Sequence, residues 1–165
     1  MSADTLRARL AAVRLAAFDV DGVFTDGRIY VADDGTESKA FSTLDGYGVR
    51  RLLEGGIEVA VISGRQSAAV EKRMAELGVR HVLLACADKV AAFERLAAQL
   101  SLTPAQCCYT GDDLPDLALL QQVGVSIAVA NAHREIRAVC DYTTGGRGGF
   151  GAVREVCDLL LDARR

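Results

Sequence analysis

The stretch LAAFDVDGVFTDG, residues 15–27, decides the fold, because an apolar run of strand length opens directly onto two carboxylates set two positions apart and then onto glycine. A β-strand alternates its faces, but a chain leaving a strand into a Gly-rich turn can aim Asp19 and Asp21 at one point beyond the carboxyl edge of a sheet. Apolar runs of strand length recur outward from this one, at Leu15 to Val20, Ile57 to Ile62, His81 to Leu84, Cys107 to Tyr109 and Val125 to Val129. Helical patterns lie between them: Val90, Phe93, Leu96, Ala97 and Leu100 fall on one stripe at three- and four-residue steps. Gly55 and Gly56 end the helix that includes Val49, Leu52 and Leu53, and Gly78 ends the one containing Val70, Met74 and Leu77. Strand and helix in alternation predict an α/β fold built on a parallel sheet.

One segment breaks the rhythm. Between the first strand and the first long helix lies RIYVADDGTESKAF, two strand-like pieces joined by Asp33, Asp34 and Gly35, which reads as a β-hairpin flap. Emerging straight after the Asp-rich turn, it lies near the carboxyl edge, where open α/β sheets bind ligands, and can shield the site. No linker or repeat stands out, so residues 1–165 are expected to form a single domain, long enough to bury a sizeable core.

Composition excludes several function classes. Half the residues are hydrophobic and a quarter charged, with two prolines, which argues against disorder and fibrous repeats. A net charge of -3 argues against wrapping a polyanion, so nucleic acid is not an expected partner, while local basic clusters can still hold a small phosphorylated acid. Five cysteines, with no CxxC pair, suggest neither a zinc site nor a disulfide framework. No run approaches the about 18 apolar residues of a membrane span, and the Arg-interleaved N-terminal stretch is unlike a leader, so a cytoplasmic location without membrane contact is expected.

Polar groups gather at the expected strand ends: Asp19 and Asp21 after the first, Ser63 after VAVI, Lys89 after HVLLACAD, and Asp112, Asp113 and Asp116 in GDDLPD after CCYT. In a parallel sheet these ends converge. Carboxylates so gathered repel one another unless a cation holds them, and an all-oxygen set suits Mg2+. The remaining groups fit phosphoryl transfer. Ser63 can donate to a phosphate oxygen and Lys89 can neutralise charge on the moving phosphoryl group. Asp19 can attack phosphorus to give an aspartyl phosphate, and Asp21 can protonate the leaving alkoxide and later deprotonate the attacking water. Asp113 and Asp116 also suit a plain structural role, capping the helix DLPDLALL with Pro115 in its first turn.

In that order, DVDGVFTDG, VISGR, Lys89 and GDDLPD resemble the four motifs of the haloacid dehalogenase superfamily of phosphatases, over nearly the whole chain. More narrowly, the flap followed by AFSTLDGYGVR, the SGR at Ser63 to Arg65 and the ending GAVREVCDLLL resemble the 3-deoxy-D-manno-octulosonate 8-phosphate phosphatase family. The resemblance implies a capless, three-layer Rossmann-like domain. It would hydrolyse a phosphorylated eight-carbon sugar acid with Mg2+ in lipopolysaccharide precursor synthesis, as a homotetramer. It makes Asp19 nucleophile and metal ligand, Asp21 the acid and base with its backbone carbonyl on the metal, and Asp112 the other carboxylate ligand, supported from behind by Asp113 and Asp116. Substrate contacts are implied for Asp21, for Ser42, Thr43, Leu44, Asp45 and Gly46, and for Arg50, Arg65, Arg73 and Lys89. Arginine suits such a substrate, because its planar fork pairs with a carboxylate through two bonds. Without the resemblance, Arg50 and Arg73 fit a solvated helix face. The resemblance also makes GGRGGFG, residues 145–151, a loop reaching a neighbouring subunit's active site. Two positions depart from the family pattern: Phe150 stands where a basic or imidazole side chain is usual, and Cys86 near a usual glycine.

Two other readings use the same parts. Phosphatases of nine-carbon sugar acids share these motifs. A signalling receiver module also holds an aspartyl phosphate with Mg2+, a hydroxyl and a lysine, but places its acceptor on a middle strand after an acidic pair on the first. Here the candidate nucleophile follows the first strand and GDDLPD comes late.

Overall fold

Leu15–Phe18 forms β1, and all four side chains are buried because the strand lies inside a six-stranded parallel sheet of order β5-β4-β1-β6-β7-β8. The computed structural model describes residues 3–165. In chain order the other strands of this sheet are β4 (Glu58–Ile62), β5 (His81–Leu83), β6 (Cys107–Gly111), β7 (Val125–Ala128) and β8 (Tyr142–Thr143). The hairpin forms a separate antiparallel pair, β2 (Tyr30–Val31) and β3 (Glu37–Ser38), turned at Asp33 to Gly35 as its sequence predicts. The helices are α1 (Ala3–Ala11), α2 (Thr43–Glu54), α3 (Ala68–Leu77), α4 (Lys89–Gln99), α5 (Leu117–Leu120), α6 (Arg134–Val139) and α7 (Ala152–Asp162). They fall into two packed groups, α1, α2, α3 and α7 in one, α4, α5 and α6 in the other, with the sheet between them. This is the α/β sandwich that the alternating pattern predicts.

Register brings the chemistry together. Phe18 pairs with Val61 on β4 and with Thr110 on β6, so the carboxyl ends of three neighbouring strands lie level and their following loops meet. β1 stops at Phe18, two residues before the end of its apolar run, because the Val20 carbonyl is taken by the N–H groups of Val23, Phe24 and Thr25 at 3.2, 2.9 and 3.1 Å. That carbonyl therefore closes a turn instead of extending a ladder. Phe24 packs edge-on to Phe18 with centroids 5.4 Å apart, which pins the turn to the core.

Helix ends follow the expected chemistry. Ser42 and Ser67 cap α2 and α3, and Gly78, at φ +83°, closes α3 in the left-handed region that favours glycine. α7 is different: its N-cap is Gly151, with no side chain, and the Asp45 carboxylate reaches across from α2 to accept from Arg154 N at 2.8 Å. One helix thereby caps another, and the two pack along their length.

The glycine run 145–151 lies with its backbone against its own chain. Gly149 N donates to Val23 O at 3.0 Å and Gly148 N to Asn131 Oδ1 at 2.9 Å. A Cβ at Gly148 would collide with Gly22 O, and one at Gly149 would press on Thr25 and Asp26. These glycines permit close approach to the turn that carries the two leading aspartates.

Candidate active site

The loops after β1, β4 and β6 and the first residue of α4 enclose a cavity of about 300 Å3. Asp19, Asp21, Ser63, Arg65, Lys89, Asp112, Asp113 and Asp116 all line it. Asp19 N bonds to Thr110 O at 2.9 Å, which continues the β1–β6 pairing one step and directs the residue off the strand end. Its Oδ1 accepts from Val20 N at 2.7 Å. Ser63 follows β4 directly, is 3% exposed, and accepts from Arg65 N at 3.3 Å. Gly22, at φ +89°, faces Asp112 so closely that any side chain there would strike the carboxylate. The β1 and β6 loops thus meet at a contact only glycine allows.

Lys89 is the electrostatic centre. Its Nζ lies 3.0 Å from Asp19 Oδ1 and 2.7 Å from Asp116 Oδ1, and donates to the Tyr109 hydroxyl at 3.3 Å. Burial works against its charge, yet the two carboxylates overrule that and hold its pKa above the usual lysine value. Asp116 is consumed by neighbours: Oδ1 accepts from Lys89 and from the Tyr109 hydroxyl, each at 2.7 Å, and Oδ2 from Asp112 N at 3.0 Å and Asp113 N at 3.3 Å. Asp113 caps the short turn Leu114–Asp116 through Leu114 N at 2.8 Å.

Asp19 and Asp112 are less well supplied. Burial and the Asp116 charge push Asp19 up to about 6, while burial and the charges of Asp19, Asp116 and Asp113 push Asp112 to about 8. Oxygens of Asp19, Asp112 and Asp116 all lie within 4.8 Å of one another. Crowded, desolvated carboxylate oxygens of this kind fit a hard divalent cation such as Mg2+. Since the Asp116 lone pairs already serve four donors, Asp19 and Asp112 are the carboxylates free to hold it.

The implied substrate residues divide. Arg65 lines the cavity, with Nε 3.7 Å from Asp21 Oδ2 and Nη2 at 2.8 Å from both Glu37 oxygens. Ser42, Thr43 and Leu44 line an adjoining groove of about 550 Å3 with Asp26, Tyr30 and Phe150. Asp45 is 1% exposed and engaged with α7, while Gly46 packs against Arg73. Arg50 and Arg73 both meet Glu76, through its carbonyl at 3.0 Å and its carboxylate at 3.4 Å, so they sit together where α2 faces α3, outside the aspartate cavity. Cys86 stays beside the Lys89 loop, its N–H bonded to Ser63 O at 3.0 Å.

Sequence reasoning missed Lys39 and Tyr109. Lys39, just past β3, pairs with Asp21 Oδ1 while its side chain is 2% exposed. No signal in the sequence marks it, because a lysine beside Glu37 on a polar hairpin reads as solvated until the fold places it against Asp21. Tyr109 reads as one more apolar residue of a buried strand, and its hydroxyl matters only because β6 ends beside Asp116.

Residues 82–147 match the family model described as haloacid dehalogenase-like hydrolase. The 3-deoxy-D-manno-octulosonate 8-phosphate phosphatase of Escherichia coli K12 is 47% identical over 99% of this chain and 87% of its own length. The crystal structure of the Yersinia pestis phosphatase of that name superposes with a TM-score of 0.97 at 46% identity, covering 99% of this chain and 88% of that one. The Moraxella catarrhalis phosphatase, solved with a magnesium ion, a phosphate ion and the sugar acid, superposes at 0.96 with 42% identity, covering 99% and 94%.

Proposed function

The chain belongs to the 3-deoxy-D-manno-octulosonate 8-phosphate phosphatases of the haloacid dehalogenase superfamily, and we propose that it hydrolyses that phosphate monoester, with Mg2+, to the free sugar acid and phosphate. The observation that carries the reading is Asp19, buried at a strand end with Lys89 3.0 Å from its carboxylate and Ser63 on the same cavity wall. The presence of magnesium, phosphate and sugar acid in the Moraxella relative supports the substrate.

In the first step an Asp19 oxygen attacks phosphorus while Asp21 gives its proton to the departing sugar oxygen, leaving an aspartyl phosphate and the sugar acid. In the second, Asp21 takes a proton from water as that water attacks phosphorus, releasing phosphate and restoring Asp19. Lys89 lies against the Asp19 oxygen and offsets charge as the phosphoryl group arrives, and Ser63 donates to it. Asp19 and Asp112, with the Asp21 carbonyl, would hold Mg2+, which supplies positive charge against the crowded anions. Arg65, on the same cavity, suits the substrate carboxylate, which must first displace Glu37.

Assembly as a homotetramer is part of the same proposal. Its support is the exposed apolar surface on and beside the hairpin, where Ile29, Tyr30, Val31, Leu44, Tyr47 and Phe150 are each at least 45% exposed. Among the described residues no helix is long and apolar enough to cross a membrane. The five cysteines are unpaired, as suits a reducing cytoplasmic compartment.

The test is a panel of eight- and nine-carbon sugar acid phosphates, compared by kcat/KM with wild type and Asp19→Asn. Preference for the eight-carbon acid and no turnover by the variant are expected. Preference for the nine-carbon acid would overturn the substrate, residual turnover by Asp19→Asn would overturn the covalent route, and a phosphate held without turnover would point to the receiver reading. Sedimentation should give four subunits.

A further inference from the structure

Both short strands of the hairpin are exposed, yet the residue following β3 is buried at its side chain. The Lys39 side chain is 2% exposed there, and its ammonium pairs with Asp21 Oδ1. An ammonium is taken out of water only at a cost, so a lysine threaded inward from a solvated hairpin marks a position where the charge is used. The partner tells how. Asp21 sits on a turn between strand end and glycine, with a side chain 23% exposed into the cavity. Its two oxygens face cations from different elements: Lys39 at Oδ1, and Arg65 Nε at 3.7 Å from Oδ2. Arg65 is itself held by Glu37, two residues before Lys39. The inner edge of the hairpin therefore touches both polar groups on this side of the cavity.

We propose that Lys39 is a positioning residue for the phosphatase reaction. By donating to Oδ1 it fixes the Asp21 carboxyl with its other oxygen toward the leaving group, so the hairpin is a working wall of the catalytic site as well as a cover. The inference rests on the reading of Asp21 as the acid that protonates the departing sugar oxygen. Lys39 acts through the carboxyl that it holds. It stops Asp21 from rotating away, and the benefit goes to the step in which a poor leaving group needs that proton.

The test compares single-turnover rates of enzyme phosphorylation by two substrates: the sugar acid phosphate, whose alkoxide needs a proton to leave, and p-nitrophenyl phosphate, whose phenolate does not. Lys39→Met should slow the first by about 10–100-fold and the second by less than about threefold. Asp21→Asn should show the same selectivity more strongly, and Lys39→Arg should restore most of the rate. Equal slowing of both substrates by Lys39→Met, or a rise in KM alone, would overturn the positioning role while Asp21→Asn still discriminates. Failure of Asp21→Asn to discriminate would overturn the acid role itself, and this inference with it. If Lys39→Met does not fold, Lys39→Arg and Lys39→Gln carry the same comparison.

Discussion

Tyr109 and Lys89 donate to the same oxygen, Asp116 Oδ1, each at 2.7 Å. The Asp116 side chain is 1% exposed, so this is a buried junction that fixes where the Lys89 ammonium stands beside Asp19.

Asp116→Asn should therefore act through Lys89. Loss of a buried anion facing a buried cation lets the ammonium drift from Asp19, and supporting residues of this kind typically cost about 10–100-fold in activity. Because the Asp116 oxygens are spent on four donors, Mg2+ affinity should change little in calorimetry while kcat falls. A large loss of Mg2+ affinity would make Asp116 a metal ligand.

Metal binding should release protons. Without Mg2+, Asp112 titrates near 8 and Asp19 near 6, both above the ordinary carboxylate value, so near neutral pH Asp112 is largely protonated. Their raised values favour the folded metal-free protein at low pH, and that contribution is lost as pH rises through about 6 and then about 8. Thermal unfolding of chelator-treated enzyme should show melting temperature falling across this window and Mg2+ restoring it. Titrations in buffers of different ionisation enthalpy at pH 7 should register close to one proton released.

Gly148→Ala should damage activity and stability together. The added methyl would collide with Gly22 O, so the turn bearing Asp19 and Asp21 must move. Urea unfolding should show a loss of about 1–3 kcal/mol, the typical cost of forcing an extra methyl group into a packed region. Gly145→Ala meets only the distant Glu155 carboxylate, and serves as the neighbouring control.

Asp45 offers a substitution that separates capping from charge. Asp45→Ala removes the acceptor for Arg154 N and should cost about 1–2 kcal/mol. Asp45→Asn keeps an acceptor and should cost less. Burial raises the Asp45 pKa, so wild-type stability from this group declines as pH rises through the raised value, and the Asn variant should have the flatter profile in urea unfolding across pH.

What the sequence reveals and what it hides follow a physical division. Strand ends were legible at Asp19, Ser63 and Asp112 because apolar runs stop abruptly at polar groups, and the hairpin was legible because Asp33, Asp34 and Gly35 leave few other conformations. β8 escaped notice because two residues carry no period, and it exists by pairing with β7. Lys39 looked like any lysine on a polar hairpin, since its burial depends on where that hairpin folds back. The sequence STLDG reads as one polar loop, yet helix geometry splits it: Ser42, Thr43 and Leu44 face a groove while Asp45 turns inward to cap a helix more than a hundred residues later.

The contact between Gly148 and the Gly22 turn also sets an order of events during folding. The two lie more than a hundred residues apart in sequence, so the turn that carries Asp19 takes its final shape only when the chain between them has folded back. The nucleophile is therefore set by the closure of that long loop, and a chain without residues 148 and 149 in place holds Asp19 on an unbraced turn.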